Sequence, residues 1–250
     1  TNGGVLTHLP GQTSLDVTVQ GSGHIGPGCA IDVAGKGFTS GLGPGAGPFG
    51  PNYGGGAGHG GVGGASSQVA GGIAYGSILQ PSTPGSGGGK GGSIAGGVGG
   101  GCVRFEVSGI LTVDGTVTAD GKPGGATGGG GSGGSIWITA GELRGSGIIS
   151  ANGGTVSSPA GGAGGRIAIY YGGSTFGGQI TAYGGANRAG GPGTVYTKSS
   201  LQQVGNLRID NGGRAGSLTA LQFAVRYNLI LAGGGDGIPG GASDAGIAPG

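Results

Sequence analysis

Two short patterns of alternating apolar and polar residues recur along this chain. The first reads apolar, any, small or apolar, any, glycine. It occurs as Ile31-Asp32-Val33-Ala34-Gly35, Val117-Thr118-Ala119-Asp120-Gly121, Ile149-Ser150-Ala151-Asn152-Gly153 and Ile180-Thr181-Ala182-Tyr183-Gly184. The last three begin at 117, 149 and 180, so they lie 32 and 31 residues apart. The second pattern follows a glycine run. It reads Val103-Arg104-Phe105-Glu106-Val107, Ile136-Trp137-Ile138-Thr139-Ala140, Ile167-Ala168-Ile169-Tyr170-Tyr171 and a weaker Val195-Tyr196-Thr197, with starts 33, 31 and 28 residues apart. Period-two alternation marks a β-strand with one buried face. Two interleaved patterns on one period predict a unit of two short strands and a glycine-rich loop, the loops being 122–134, 154–165 and 185–193. Such a unit cannot bury its apolar face alone, whereas stacked units can. The expectation is an all-β chain folded as a parallel β-helix or β-solenoid, with repeats of about 31 residues and long glycine-rich loops. Its expected hand is right-handed, as for parallel crossovers generally.

The step from Ile31 to Val117 is 86 residues and includes an extra segment at about 39–100 that is almost pure glycine punctuation. A connection of that length calls for organisation of its own. The sequence allows two forms: extended glycine helices packed side by side in the polyglycine-II manner, or a mobile loop. After Lys198 the texture changes. Leu207-Arg208-Ile209-Asp210 and Phe223 to Leu231 read as strands with fewer glycines, followed by a glycine-rich tail at 233–250. The expected layout is a glycine-rich solenoid over 1–200, carrying the insertion, and continuing or capping strands with the tail over 201–250.

Composition narrows the classes. Glycine supplies 77 of 250 residues and proline 12, while charged residues make up 8% and the net charge is +2. Composition alone permits an elastomeric coil, but the twin periods favour an ordered stack. Eleven basic residues, nowhere clustered, give no footprint for nucleic acid. No run of 18 apolar residues is present, so no membrane span is expected. With no methionine and one tryptophan, any core must be thin and repeated. The chain starts at Thr1 without a visible signal peptide and reads as a processed product or a fragment.

Candidate chemistry is sparse. Cys29 and Cys102 are the two cysteines, and the alternatives are an intrachain disulfide clamping the insertion, two buried thiols, or an intermolecular bridge. His8, His24 and His59 are scattered and no cluster has metal-ligand spacing, so neither a metal nor a cofactor is expected. Asp114 and Asp120 bracket one strand. They read as turn-capping aspartates, with calcium binding or a paired-carboxylate role as the alternative. Gly130-Gly131-Ser132-Gly133-Gly134 satisfies a nucleophile-elbow pattern without its strand–turn–helix context. Gly89-Lys90 ends like a phosphate loop, but Gly91 replaces the required hydroxyl residue. If Val103, Phe105, Ile136, Ile138, Ile167 and Ile169 face inward, Arg104, Trp137, Ala168 and Tyr196 form one outer column. Glu106, Thr139, Tyr170 and Lys198 form the next. Arg104, Trp137, Tyr170 and Tyr196 are therefore the candidate interaction surface, for another subunit or for sugar rings.

Gly43-Pro44-Gly45, Gly58-His59-Gly60-Gly61, Tyr75-Gly76-Ser77, Pro84-Gly85-Ser86-Gly87-Gly88-Gly89, Gly133-Gly134-Ser135-Ile136 and Gly164-Gly165-Arg166-Ile167-Ala168-Ile169 follow one another in this order. Together with Gly193-Thr194-Val195-Tyr196 and Leu207-Arg208-Ile209-Asp210-Asn211, this succession resembles secreted or cell-surface glycine-rich repeat proteins of environmental bacteria and similar regions of plant surface proteins. The resemblance spans roughly 15–215. It implies an extracellular location and a solenoid-like region, and it carries no catalytic residues. The expected function is therefore that of a structural, non-enzymatic surface protein, self-associating as a homo-oligomer or as part of a filament, sheath or matrix. The alternatives are an adhesin that binds cell-surface polysaccharide and, further off, a polysaccharide-acting enzyme using Asp114 or Asp120.

Overall fold

A computed structural model describes residues 3–9, 12, 14–156, 160–186, 188–219, 221 and 226–232. The alternating segments are strands, since β-branched residues on every second position suit a pleat with one face in a core. Five short ones form one sheet in the order β1 (Val5–Leu6), β4 (Ala30–Asp32), β6 (Thr116–Thr118), β8 (Ile148–Ser150) and β10 (Gln179–Thr181), all parallel. The larger sheet runs β13 (Tyr227–Ala232), β12 (Gly205–Asp210), β11 (Thr194–Ser199), β9 (Arg166–Ser174), β7 (Ser135–Arg144), β5 (Cys102–Val113) and β2 (Leu15–Val19), with β3 (Gly23–Ile25) also on β5. One core lies between the sheets. It joins Ile31, Val117 and Ile149 of the first to Phe105, Ile138 and Ile169 of the second.

This corrects the expected architecture. The chain is an all-β, two-sheet sandwich and not a parallel β-helix. The eight-stranded sheet is mixed, because β12 runs antiparallel to β11. The cause is local: Gln202 donates its N–H to the Ser199 carbonyl and accepts the Ser199 N–H on its side-chain oxygen. That closes a tight turn and sends the chain back along β11 instead of across to the smaller sheet. From there β12 and β13 extend the larger sheet, with no counterparts in the five-stranded one among the described residues. Of the expected strand over 223–231, residues 223–225 lie outside the described residues, as does the tail at 233–250.

The glycine-rich segments form a packed body of their own. Residues 129–134 show the rule. Gly129 and Ser132 donate to Gly89 and Ser86; Gly130 and Gly133 donate to Ala160 and Ala163; Gly131 and Gly134 donate to Lys122 and Ala119, all at 2.7–3.0 Å. Residues three apart thus share a neighbour, and consecutive residues face three different ones. That is the signature of an extended helix with three residues per turn, whose N–H groups need outside partners. At the glycines of such a stretch a side chain does not fit between the neighbours. A β-carbon on Gly131 would meet the Val98 carbonyl oxygen, and one on Gly100 the Ala119 carbonyl oxygen, each inside 3.0 Å. The segment at 39–100 belongs to this body: Gly88 donates to Gly97, Gly97 to Gly129 and Gly100 to Ser132.

Gly131→Ala and Gly100→Ala should each destabilise the protein by about 1–3 kcal/mol, since backbone must shift to admit the methyl group. In a chain of this size that lowers the Tm by roughly 2–12 °C. Gly177→Ala is the control. Nothing lies within 4 Å of its β-carbon position, and its Tm in a thermal melt should stay near that of the parent.

Candidate functional site

The outer face of the larger sheet carries the residues singled out for interaction. The register sets Arg104, Trp137, Ala168 and Tyr196 side by side, and next to them Glu106, Thr139, Tyr170 and Lys198. Arg104 lies over the Trp137 ring, 4.5 Å from its centroid, a cation–π contact, and pairs with Glu106. Tyr170 and Tyr196 have ring centroids 5.7 Å apart. The column is not an open platform, however. Tyr196 and Ala168 are buried, in a second small core with Ile78, Leu207 and Ile209, and Trp137 and Tyr170 pack against it half-buried. Arg104 is the one exposed member of the four-residue set. Tyr196 is therefore corrected from surface to core. The covering piece comes from the glycine-rich insertion: Ile78 is fully buried there, and Tyr170 donates its hydroxyl to the Leu79 carbonyl at 2.8 Å. Ile78-Leu79, an adjacent pair of large apolar residues in that glycine-dominated stretch, was the signal for this contact.

A buried polar junction, which sequence reasoning missed, ties the insertion to the sheets. Arg166 is buried at the start of β9. Its Nε donates to the Tyr75 carbonyl at 2.7 Å and its Nη1 to the Thr194 hydroxyl at 3.2 Å. Burial lowers its pKa to about 10, so it stays charged at neutral pH. His59 is fully buried and stacks against Tyr75 with ring centroids 4.5 Å apart. Its Nδ1–H donates to the Gly133 carbonyl at 2.7 Å, which leaves Nε2 to accept from the Thr83 hydroxyl at 3.2 Å. Tyr75 donates its hydroxyl to the Pro84 carbonyl at 2.6 Å and accepts from Ser86 at 2.8 Å. Buried polar atoms must find such partners, and here the partners are mainly glycine-body carbonyls and hydroxyls. The arrangement locks chains together.

The other candidates do not converge. Cys102 opens β5 and is buried, its thiol pKa pushed up to about 12 by burial and then by Asp16. Cys29 precedes β4, where its carbonyl accepts from Thr116 beyond the far end of β5. No disulfide joins them, which corrects that option. Asp114 accepts from the Ser146 N–H at 3.1 Å and meets His24 Nε2 at 3.2 Å. Asp120, at the opposite end of β6, accepts from the Asn152 N–H. Burial raises the Asp120 pKa, opposed by the bonds from Asn152, Ser150 and Thr118. These two carboxylates serve the backbone of the next strand, at separate places. His8 is buried, with Nδ1 on the Leu9 carbonyl. Among the described residues no group of three or more metal-binding side chains gathers, and no helix is long and apolar enough to cross a membrane.

The described residues also line concavities. A shallow one of about 410 Å³ lies on the outer face, between Tyr170, Tyr171, Lys198 and Gln202. A larger cleft of about 660 Å³ opens at the end of the sandwich, lined by Phe176, Ile180, Val195, Asn206, Arg208 and Ile230 among others. No family model, curated protein or solved structure matches the chain.

The junction makes a pH prediction. Burial, and then the Arg166 charge, pull the His59 pKa from 6.5 down to about 3, against the pull of the Gly133 carbonyl. The folded chain thus refuses a proton that the unfolded chain binds. The stabilisation is fully present above pH 6.5 and is lost as pH falls toward 3, by at most about 1.4 kcal/mol per pH unit. Asp120, whose folded pKa is raised, contributes with the opposite sign from its ordinary 3.8 upward. His59→Gln should flatten the fall of the Tm between pH 6.5 and 4 relative to the parent. An unchanged slope would place the acid sensitivity elsewhere.

Proposed function

We propose that the chain is an extracellular structural protein, non-enzymatic, that associates with copies of itself in a surface filament, sheath or matrix. The observation that carries this reading is β13. Among the described residues it ends the eight-stranded sheet, is paired only with β12, and exposes Leu229, Ile230 and Leu231 in succession. The chain's first strand, β1, ends the other sheet with Val5 and Leu6 exposed and Leu9 close behind. An exposed, apolar edge strand is a ready template for another chain unless it is guarded by charge, proline or a bulge, and β13 carries none of these guards between Tyr227 and Ala232. The backbone-bonded glycine body supports the same reading, because it gives rigidity with almost no charge. The extracellular location rests on the resemblance to secreted glycine-rich surface proteins.

The adhesin reading has one observation in its favour: Arg104 over Trp137 beside the Tyr170–Lys198 concavity offers an aromatic ring with polar neighbours. Its reach is narrowed by the burial of Tyr196, so the structural reading stands first.

Sedimentation velocity over a concentration series tests the conclusion. The parent should shift to larger species as concentration rises, and Leu229→Lys with Leu231→Lys should return it to a monomer with an unchanged circular-dichroism spectrum. A parent that sediments as one monomeric species at every concentration, with no ordered assemblies by electron microscopy, overturns the reading.

A further inference from the structure

The five-stranded sheet stops before the eight-stranded sheet does. β10 pairs with β8 and is the terminal strand, whereas across the core β11 is followed by β12 and β13. The cleft of about 660 Å³ is the result. Its wall is the edge of β10 from Gly178 to Thr181, and facing it are Val195, Thr197, Asn206 and Arg208. The core column records the interruption. Ile31, Val117 and Ile149 are 4%, 0% and 0% exposed, while Ile180, the next in register, is only half-buried. The four strands of that column share a pattern: Ala30-Ile31-Asp32-Val33, Thr116-Val117-Thr118-Ala119, Ile148-Ile149-Ser150-Ala151 and Gln179-Ile180-Thr181-Ala182.

The backbone at this edge is oriented for one more strand. Successive residues of a strand turn their N–H and C=O groups to opposite sides. Gln179 donates to Gly147, and Thr181 accepts from Ala151 at 2.9 Å, both toward β8. Ile180 therefore presents its backbone groups to the cleft. Its carbonyl is taken there by the Arg208 guanidinium, which has the Asp210 carboxylate 3.7 Å away.

We propose that the β10 edge is a docking site for an extended peptide segment of the chain's own column pattern: any residue, Ile or Val, then Ser, Thr or Asp, then Ala or Val. The segment adds parallel to β10 and sends its Ile or Val into the cleft beside Ile180 and Val195, continuing the β8–β10 pairing. Strand addition of this kind draws affinity from main-chain bonds and selectivity from pockets for alternate side chains. Arg208 is the guard of the site, since its guanidinium holds the carbonyl that an incoming N–H needs, a charged block on a free edge. The inference does not depend on self-association through β13.

The test uses the full chain and a fluorescent peptide with the sequence of residues 115–121, against a control with lysine in place of its valine. Anisotropy should show the first peptide binding and the control not. Arg208→Ala should bind about tenfold tighter, the scale of one competing hydrogen bond to a charged group. Thr197→Lys, which places a charge in the cleft, should abolish binding, and the Ile180 amide should gain hydrogen-exchange protection when peptide is bound. Equal binding of the two peptides, no peptide binding to either the parent or the Arg208→Ala protein, or binding untouched by Thr197→Lys each overturns the proposal. Should Arg208→Ala unfold by circular dichroism, the Thr197→Lys and hydrogen-exchange results decide it.

Discussion

The structure depends on backbones approaching one another with nothing between them. In an extended threefold helix no N–H finds a partner within its own segment, so every one must reach a carbonyl on a neighbour. Residues 129–134 do so in three directions at once; five of the six are glycine, and Ser132 is accommodated because its hydroxyl accepts from the Ser86 N–H. An ordered glycine costs about 0.5–1 kcal/mol relative to alanine, and an intramolecular hydrogen bond contributes about the same amount net. The glycine body thus gains little free energy by itself. What holds it is attachment to a core that does bury apolar surface, and attachment is strict because a displaced strand would strand buried amides.

That dependence explains the junction. Arg166 belongs to β9, whose neighbours Ile167 and Ile169 are core, yet its guanidinium reaches the Tyr75 carbonyl in the insertion. His59 belongs to the insertion and reaches Gly133, at the threshold of β7. Each side thus holds the other by a directional bond in a dry environment, where an unmet partner is expensive. Ile78 adds the apolar counterpart on the outer face of the larger sheet. A segment that sequence alone leaves open between loop and packed helix is fixed at three points, and the intervening glycines follow.

How far the sequence was legible divides along the same line. Strand positions and neighbours could be read, because alternation reports the buried face and recurrence reports which strands meet: Val117 lies beside Ile149, and Ile149 beside Ile180. The architecture could not. A repeat predicts its own continuation, whereas the turn at Ser199–Gln202 that leads into the reversed β12 is closed by one backbone and one side-chain bond of a single glutamine, with no pattern around it. The outward column illustrates a second limit. Register placed Arg104, Trp137 and Tyr196 in line, but alternation says only that a side chain leaves the core, not that it reaches water, and Ile78 covers part of that face. The junction was illegible because an arginine 91 residues from the tyrosine and 107 from the histidine carries no spacing signal, and the glycines that unite them look alike at every position.

The three strand ends of the two sheets that matter most differ in how they are closed, and the difference follows from chemistry. At β10 an arginine from the adjoining sheet folds onto the free carbonyl, with an aspartate to balance its charge. At β13 and β1 leucine, isoleucine and valine are left facing outward. A charge held against an edge opposes indiscriminate pairing while leaving the groove beneath it intact, so the Arg208 edge suits a selective, reversible partner. Bare apolar edges discriminate less and release more free energy per unit of area covered. The bare apolar edges thus lie at opposite ends of the sandwich, and the charge-covered edge of β10 lies at the β13 end, where the interruption of the smaller sheet sets the two kinds of edge side by side.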